Sequence, residues 1–284
     1  MEFLSKILHI ILALFMMFFG VDEDVAYEIN SSAASAPMAV YFVDVGQGDC
    51  IYIRLPDGKN MLIDAGENED GTAVVEYLKE LGVNKIDYAV GTHPHADHIG
   101  GLDDVLNSIE TDVLYMPSVP TSTATFVSVL DAVEENGVKL KKAEKNVIIE
   151  NNDEYEIKIL SPVSKKYDEM NNYSAVVHIS YGDTAFLFMG DAEKLAERQI
   201  IESGAMVEAD VLKVGHHGSE TSTDFDFLTA VSPEVAVISC GEGNSYGHPH
   251  TDVTDKLKDE RIHILRTDKH GNIVIGSDGK NIVY

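Results

Sequence analysis

The chain has 284 residues, of which 21 are Lys or Arg and 48 are Asp or Glu, so its formal net charge is −27 with histidine neutral. Its 44% of hydrophobic residues can fill a substantial core, and this composition excludes a globally disordered chain. The two cysteines exclude a disulfide framework and an all-cysteine metal site. The acid excess argues against broad attraction to nucleic acid, because phosphates favour Lys and Arg surfaces.

The first segment of the chain has the features of an export signal. Residues 7–19 are nearly all apolar and follow Lys6. A helix needs roughly 20 apolar residues to span a bilayer, so the run better fits a secretory leader. Small residues at Ser32-Ala33-Ala34 and Ala34-Ser35-Ala36 are candidate cleavage sites. We expect residues 1–36 to be a signal peptide or membrane anchor with a short linker, and the protein to be secreted or anchored outside the cell. The alternative is a buried N-terminal helix.

From residue 37 onward, short β-rich runs alternate with helical patterns. Strands are predicted at Val40–Val45, Ile51–Leu55, Met61–Ile63, Ile86–Val90, Val113–Met116, Ile157–Leu160, Ala175–Ser180, Ala185–Met189, Val211–Val214, Val235–Ser239 and Ile262–Leu265. Helices are predicted at Thr72–Leu81, Thr125–Glu135, Ala192–Ser203 and Thr251–Asp259. This alternation predicts an α/β sandwich with helices outside the sheets.

Seven of the eleven histidines fall in three short segments that follow apolar strands: His93, His95 and His98; His216 and His217; His248 and His250. In an extended loop the side chains at i and i+2 point the same way, so His93 and His95 can bind one cation. Asp97 and His98 follow at positions that can address a second cation. Imidazole and carboxylate donors suit Zn²⁺, Mn²⁺ or Fe²⁺.

The segment from His93 to His98 is an HxHxDH signature, and here the chain resembles the metallo-β-lactamase superfamily of dinuclear metallohydrolases. Further matching segments occur in order at residues 40–49, 61–66, 186–192, 212–219 and 239–250. Several of them are similar to the soluble domain of ComEC-type competence proteins. The resemblance implies a four-layer αββα sandwich for residues 37–284 and two divalent metal ions, Zn or Mn.

The resemblance also implies a set of metal ligands: His93, His95, Asp97, His98, Asp191 and His217. Asp191 would bridge the two ions, although capping the following helix is an alternative role. His248 competes with His217 for the last ligand position. Asp49 and Asp64 are expected to orient histidines or turn amides from behind the ligands.

The catalytic residues expected on this basis are Asp97, His216 and His248. His216 would meet a substrate oxygen or protonate the leaving group. Substrate contacts are expected from Ser219, Asn244 and Tyr246, with a solvated surface loop as the alternative for the last segment.

One departure from the family pattern concerns the loop before the strand that leads to Asp191. Many members have a histidine there, whereas residues 170–177 contain none, as in the ComEC-type subgroup. We expect Asn172 or Ser174 to contact a metal-bound water instead, and His178 to be a core or sheet-face residue.

The predicted function is metal-dependent hydrolysis, most simply of a phosphodiester, in which a metal-bridged hydroxide attacks. The ComEC-type resemblance implies a nuclease, which makes single-stranded DNA a candidate substrate. The chain has one dense basic patch that could contact it: Lys139, Lys141, Lys142 and Lys145, with Lys165 and Lys166 as additions. Solvation of an exposed strand face is the alternative role of these lysines. The alternative functions are a cell-surface esterase for a phosphorylcholine ester, lactone or β-lactam, and a non-catalytic binding module. Membrane association would come from the N-terminal segment.

Overall fold

The computed structural model describes residues 31–119 and 121–284, so the apolar run of the predicted leader lies outside the described residues. The strands are β1 (Met38–Phe42), β2 (Cys50–Arg54), β3 (Asn60–Ala65), β4 (Lys85–Val90), β5 (Glu110–Met116), β6 (Lys139–Lys142), β7 (Ile148–Asn151), β8 (Tyr155–Ile159), β9 (Val177–Tyr181), β10 (Thr184–Phe188), β11 (Val211–Lys213), β12 (Val235–Ile238), β13 (His263–Arg266), β14 (Ile273–Ser277) and β15 (Ile282–Val283).

The helices are α1 (Ser31–Ser35), α2 (Gly71–Glu80), α3 (Ala96–Ile99), α4 (Leu102–Ser108), α5 (Ala124–Glu135), α6 (Lys194–Glu202), α7 (Phe225–Val231), α8 (Thr251–Asp259) and α9 (Thr267–His270). A short 3₁₀ turn, Met170–Tyr173, and a left-handed turn, Gly215–Gly218, lie between strands. Among the described residues, no helix is both long and apolar enough to cross a membrane.

The strands form two sheets that pack face to face. One sheet has the order β15-β14-β1-β2-β3-β4-β5-β6, and the other has the order β13-β12-β11-β10-β9-β8-β7. Alternate residues of β1 face opposite sides: Val40 and Phe42 belong to the core between the sheets, and Ala39 and Tyr41 pack under the helices. A third apolar cluster lies beneath the helices of the second sheet. The four-layer αββα sandwich predicted from the sequence is therefore confirmed.

The parallel parts of both sheets end at a common edge. Strands β3, β4 and β5 are parallel in the first sheet, and β10, β11 and β12 are parallel in the second. The segments that follow β3, β4, β10, β11 and β12 contain most of the predicted site residues. Loops at the carboxyl ends of parallel strands are the usual place for a ligand site in α/β proteins.

The strands that the sequence did not predict lie mainly at the edges of the two sheets. Strand β6 has the sequence Lys-Leu-Lys-Lys with all four residues exposed, so it has no apolar alternation. Strands β7, β14 and β15 and helices α1, α3, α7 and α9 were also not predicted.

Helix α1 packs on the folded domain, although its residues were predicted to belong to a leader and linker. Ala33 is fully buried, and the Arg54 guanidinium donates to the carbonyls of Ala34 and Ala36 at 2.8 Å. Both candidate cleavage segments therefore contact the first sheet. The domain boundary at residue 37 stays a prediction.

Candidate metal centre

Asp64, which lies near the end of β3, fixes the position of His98. It has a left-handed φ of 59°, and its Oδ1 accepts a hydrogen bond from the Thr92 amide at 2.8 Å. Its Oδ2 accepts from the Thr92 hydroxyl at 2.6 Å and lies 2.8 Å from His98 Nδ1. Because Nδ1 is held from behind, the Nε2 of His98 is directed into the site.

His93 and His95 face one another at the start of the same loop. His93 Nε2 lies 3.0 Å from His95 Nδ1, as the i, i+2 spacing predicts for a pair that shares one cation. The other ring nitrogen of His93 lies 3.2 Å from the Thr92 hydroxyl and 3.4 Å from that of Ser174. These hydroxyls support the ring of His93 within the core.

Asp191 lies at the centre of the histidines. Its Oδ1 is 3.1 Å from His98 Nε2 and 3.4 Å from His217 Nε2, whereas its Oδ2 is 3.9 Å from His93 Nε2 and 3.7 Å from His216 Nε2. Each carboxylate oxygen thus faces a different pair of imidazoles. The alternative role for Asp191 is wrong, because α6 begins at Lys194 and its N-cap residue is Glu193.

The Gly215–Gly218 turn brings two histidines into the site from the second sheet. Both His216 and His217 have left-handed backbones, with φ of 50° and 54°. Such conformations are uncommon for residues with a Cβ and concentrate at functional sites. Gly218 closes the turn with φ +80°, and a Cβ on it would lie 2.6 Å from Pro249 Cβ, so this position requires glycine.

His217, rather than His248, faces the acidic group. Its Nδ1 lies 3.0 Å from the Ser239 carbonyl, and its Nε2 is 3.4 Å from Asp97 Oδ2. His248 stacks on the outer side of His217, with 6.1 Å between ring centroids. Burial and the neighbouring His217 lower the pKa of His248 to about 4, which keeps its ring neutral near pH 7.

A buried ion pair supports the site and had no signal in the sequence analysis. Lys213, at the end of β11, is fully buried, and its Nζ lies 2.8 Å from Asp49 Oδ2 and donates to the Val214 carbonyl at 3.0 Å. The other oxygen of Asp49 is 3.5 Å from His217 Nδ1. In a sequence, a lysine within an apolar strand indicates an edge or surface residue. Only the three-dimensional structure therefore shows this contact.

The carboxylates create a strong negative potential at the site. Burial alone would lower the pKa of His98 and His217, but the neighbouring carboxylates, Asp191 foremost, together outweigh it, and both pKa values are raised. The pKa of Asp191 is held well below its usual range by His98 and His217, against the effect of burial. Such a potential attracts cations.

The donors fit divalent metal ions. Asp97, His98, Asp191 and His217 each offer one ligand atom, and these atoms all lie within 4.8 Å of one another. Three of the buried polar atoms there, His98 Nε2, Asp191 Oδ1 and His217 Nε2, lie close together, but none has a partner with hydrogen-bond geometry among the described residues. Buried polar atoms are normally paired, so three that converge indicate a site for a bound cation.

The predicted substrate residues differ in how they are placed. Asn244 uses its side chain inside its own loop, where it donates to the carbonyls of Gly241 and His248 and accepts from two amides. Tyr246 is 65% exposed and stacks on His248 with 5.6 Å between centroids. Ser219 is buried and accepts hydrogen bonds from Thr221. Tyr246 is thus the member of the group with a free face.

In the loop that lacks a histidine, Asn172 and Ser174 have different contacts. Asn172 is buried, donates to Glu193 at 3.0 Å and accepts from the Ala196 amide at 3.2 Å. Ser174 accepts from the Asp191 amide at 3.1 Å, in addition to its contact with His93. Their predicted contact with a metal-bound water stays a prediction. His178 is a buried β9 residue whose Nε2 lies 3.0 Å from the Glu208 carbonyl, which confirms its assignment to the sheet.

Two residues that the sequence analysis did not single out contact His216. The Asn171 amide lies 3.3 Å from both ring nitrogens, and Glu193 Oε1 lies 3.5 Å from Nδ1. The contact with His216 lowers the pKa of the Glu193 carboxyl. The sequence held no signal for these contacts, because they depend on the turn that holds His216.

Comparison with known proteins gives a consistent family. Residues 43–242 match the sequence model of the Metallo-beta-lactamase superfamily. The chain is 31% identical over 251 residues to ComE operon protein 3 of Bacillus subtilis, covering 82% of this chain and 32% of the relative. It is 30% identical over 240 residues to competence protein ComA of Neisseria gonorrhoeae, covering 84% of this chain and 32% of the relative. The chain therefore spans about a third of the length of these curated relatives.

Solved structures share the fold at low sequence identity. CmlA, a diiron beta-hydroxylase from Streptomyces venezuelae, superimposes with a TM-score of 0.58 at 13% identity, covering 94% of this chain and 59% of CmlA. YhfI, a metallo-beta-lactamase fold protein of Bacillus subtilis, superimposes with a TM-score of 0.53 at 13% identity, covering 84% of this chain and 98% of YhfI. Zn²⁺-bound PqqB from Methylobacterium extorquens superimposes with a TM-score of 0.52 at 10% identity, covering 84% of this chain and 100% of PqqB.

Proposed function

The chain belongs to the metallo-beta-lactamase superfamily, and from this premise we propose that it is a dinuclear metallohydrolase that cleaves phosphodiesters. The observation that carries the proposal is the Asp191 carboxylate, whose two oxygens face different groups of imidazoles. This arrangement suits a carboxylate that bridges two cations. The proposed ions are Zn²⁺ or Mn²⁺, in keeping with imidazole and carboxylate donors.

We propose that His93 and His95 hold one ion, that Asp97, His98 and His217 hold the other, and that Asp191 contacts both. Divalent ions at these positions would supply Lewis-acid charge and lower the pKa of a bound water towards 7. Asp64 keeps His98 in the required orientation through its bond to Nδ1. The acidic donor set also stabilises two doubly charged ions in the protein interior.

His216 has the position of a proton donor to the leaving group. It is 23% exposed, so a substrate can reach it, and it lies beside the acidic centre with Nε2 3.7 Å from Asp191. Glu193 and the Thr221 hydroxyl, 3.1 Å from Nδ1, orient the ring. An imidazole in this position can act as a general acid towards a departing alkoxide. We assign substrate contacts near the ring to His248 and Tyr246.

The curated relatives support a phosphodiester substrate over a small ester. Besides the two competence proteins, the chain is 29% identical to Recombination protein 2 of Haemophilus influenzae over 239 residues, which is 28% of that protein. Competence and recombination are processes that involve DNA, so we propose single-stranded DNA as a substrate. We further propose a secreted or membrane-anchored location, which rests on the apolar residues 7–19.

A substrate panel tests the proposal. Protein loaded with Mn²⁺ or Zn²⁺ is given bis(4-nitrophenyl) phosphate, single-stranded DNA, a phosphorylcholine ester, a lactone and a β-lactam. We expect turnover of both diesters, abolished by chelation. His216→Ala should slow cleavage of single-stranded DNA more than that of bis(4-nitrophenyl) phosphate, because nitrophenolate leaves without a proton whereas an alkoxide needs one. Turnover of a small ester or lactam with both diesters intact would favour the esterase alternative. No turnover of any compound by fully loaded protein would favour a non-catalytic binding module.

A further inference from the structure

The lysine patch borders a pocket that the proposed reaction does not use. The pocket has a volume of about 430 Å³, and its lining includes Lys142, Lys145 and Lys165 together with Ser164, Tyr173 and one carboxylate, that of Glu144. This volume lies within the range of small-ligand sites, about 300–1,000 Å³. It is large enough for one nucleotide unit.

The charge of this region differs from that of the whole chain. Residues 139–166 contain seven of the 21 basic residues and five acidic ones, whereas the net charge of the chain is −27. Of the lining lysines, Lys142 forms an ion pair with Glu144 at 2.5 Å. Lys165 is exposed and Lys145 is partly so. A local excess of ammonium groups on an otherwise acidic protein marks this pocket as an anion site.

Hydrogen bonds fix the backbone segments that form the walls of the pocket. The Lys145 amide donates to the Pro162 carbonyl at 3.1 Å, which joins the loop after β6 to the loop that carries Lys165. The Tyr167 hydroxyl accepts from the Ser164 amide at 2.9 Å and donates to Gln199 at 2.7 Å. The lysines are therefore mounted on a fixed backbone.

The pocket also adjoins the metal centre. Tyr167 packs edge-on against Tyr173, with 5.1 Å between centroids, and its amide donates to the Tyr173 hydroxyl. The residue after Tyr173 is Ser174, whose hydroxyl lies 3.4 Å from His93 Nδ1. A residue in the wall of the pocket is thus the direct sequence neighbour of a residue that contacts a metal-ligand histidine.

We infer that this pocket binds a backbone phosphate of single-stranded DNA, one or more nucleotides from the phosphate that is cleaved. The inference rests on the proposed phosphodiester hydrolysis and adds a binding subsite and a preference for polymeric substrates. Two or three ammonium groups can bind one phosphate and its neighbour in the strand. The ions of the metal centre would then bind the phosphate that reacts. The acidic surface elsewhere would confine the strand to this path.

The test compares two triple variants with the same change of charge. K142Q/K145Q/K165Q alters the pocket, and K79Q/K258Q/K280Q alters three exposed lysines elsewhere. Metal-loaded proteins are given bis(4-nitrophenyl) phosphate and an oligothymidylate of about 20 nucleotides, which is longer than the site sizes of single-strand grooves. Circular dichroism and thermal unfolding verify that both variants are folded.

We expect the pocket variant to hydrolyse the small diester as the wild type does, and its KM for the oligonucleotide to rise about tenfold or more. The slope of log(kcat/KM) against log[salt] should become shallower by about 0.7 for each phosphate contact that is lost. Equal KM values for the two triple variants would overturn the inference, and so would equally tight binding of a duplex. If the wild type cleaves neither diester, the proposed function fails. The subsite is then tested by binding: fluorescence anisotropy of the oligonucleotide should show weaker binding to the pocket variant than to the control variant, and equal binding would overturn the inference.

Discussion

The ammonium group of Lys213 lies 2.8 Å from Oδ2 of Asp49, and both side chains are buried beneath the metal centre. This pair connects strand β11 to the loop before β2, and so connects the two sheets at the edge where the site lies. Asp49 in turn lies 3.5 Å from His217 Nδ1. The pair therefore supports a proposed metal ligand as well as the packing of the sheets.

Lys213→Met should destabilise the protein, because it leaves the Asp49 carboxylate buried without its counter-ion. Removal of one partner of a buried ion pair costs about 3–5 kcal/mol. Urea unfolding of chelator-treated protein measures the change, with the exposed Lys258→Met as the matched control. The double variant D49N/K213M should recover part of the loss. A cost for Lys213→Met as small as that of the control would show that the pair contributes little to stability.

His217 and His248 should differ in their effect on metal binding. Since His217 Nε2 faces Asp97 and Asp191, His217→Ala should weaken the binding of one ion by more than the roughly 10–100-fold typical of an outer-shell change. His248→Ala should leave both ions bound and lower kcat/KM for a diester. Metal titration of the two variants, each with a verified fold, distinguishes the roles. Loss of an ion from His248→Ala alone would reverse the assignment.

Glu197 should make stability depend on pH. Burial raises its pKa from the ordinary 4.5 to about 7, although the amides of Thr223 and Asp224 donate to its two oxygens. The folded protein therefore keeps a proton that the unfolded chain releases, and this contribution to stability is lost as pH rises from about 4.5 through 7.

Measurement of urea unfolding at several pH values, for the wild type and for Glu197→Gln, isolates this contribution. The wild type should lose stability relative to the variant between pH 5 and pH 8, since Gln carries no titrating proton. A difference in unfolding free energy that stays constant or grows with pH would contradict the assigned direction.

The fold and the histidine cluster were predictable from the sequence because their signals are local. Apolar runs located most strands of the two sheets, and the spacing from His93 to His98 placed four donors in one loop. Strand β6 was missed, because an exposed edge strand made of lysines lacks alternation.

The contacts between distant segments could not be predicted in the same way. Lys213 reaches Asp49 across 164 positions of sequence, and the pairing depends on which strands become neighbours. The position of Glu193 beside His216 depends on the left-handed turn at His216, which a non-glycine residue rarely signals in advance. Tertiary packing, rather than local propensity, decides both contacts.

The metal content of the wild type and of Asp191→Asn tests the central claim most directly. Chelator-treated proteins are dialysed against Zn²⁺ or Mn²⁺, and the bound ions are counted by mass spectrometry while circular dichroism verifies the fold. Because Asp191 places an oxygen near each group of imidazoles, we expect two ions per wild-type chain and the loss of at least one in the variant. A wild type that binds no ion, or a folded variant that binds two ions with unchanged affinity, would contradict a metal centre built around Asp191.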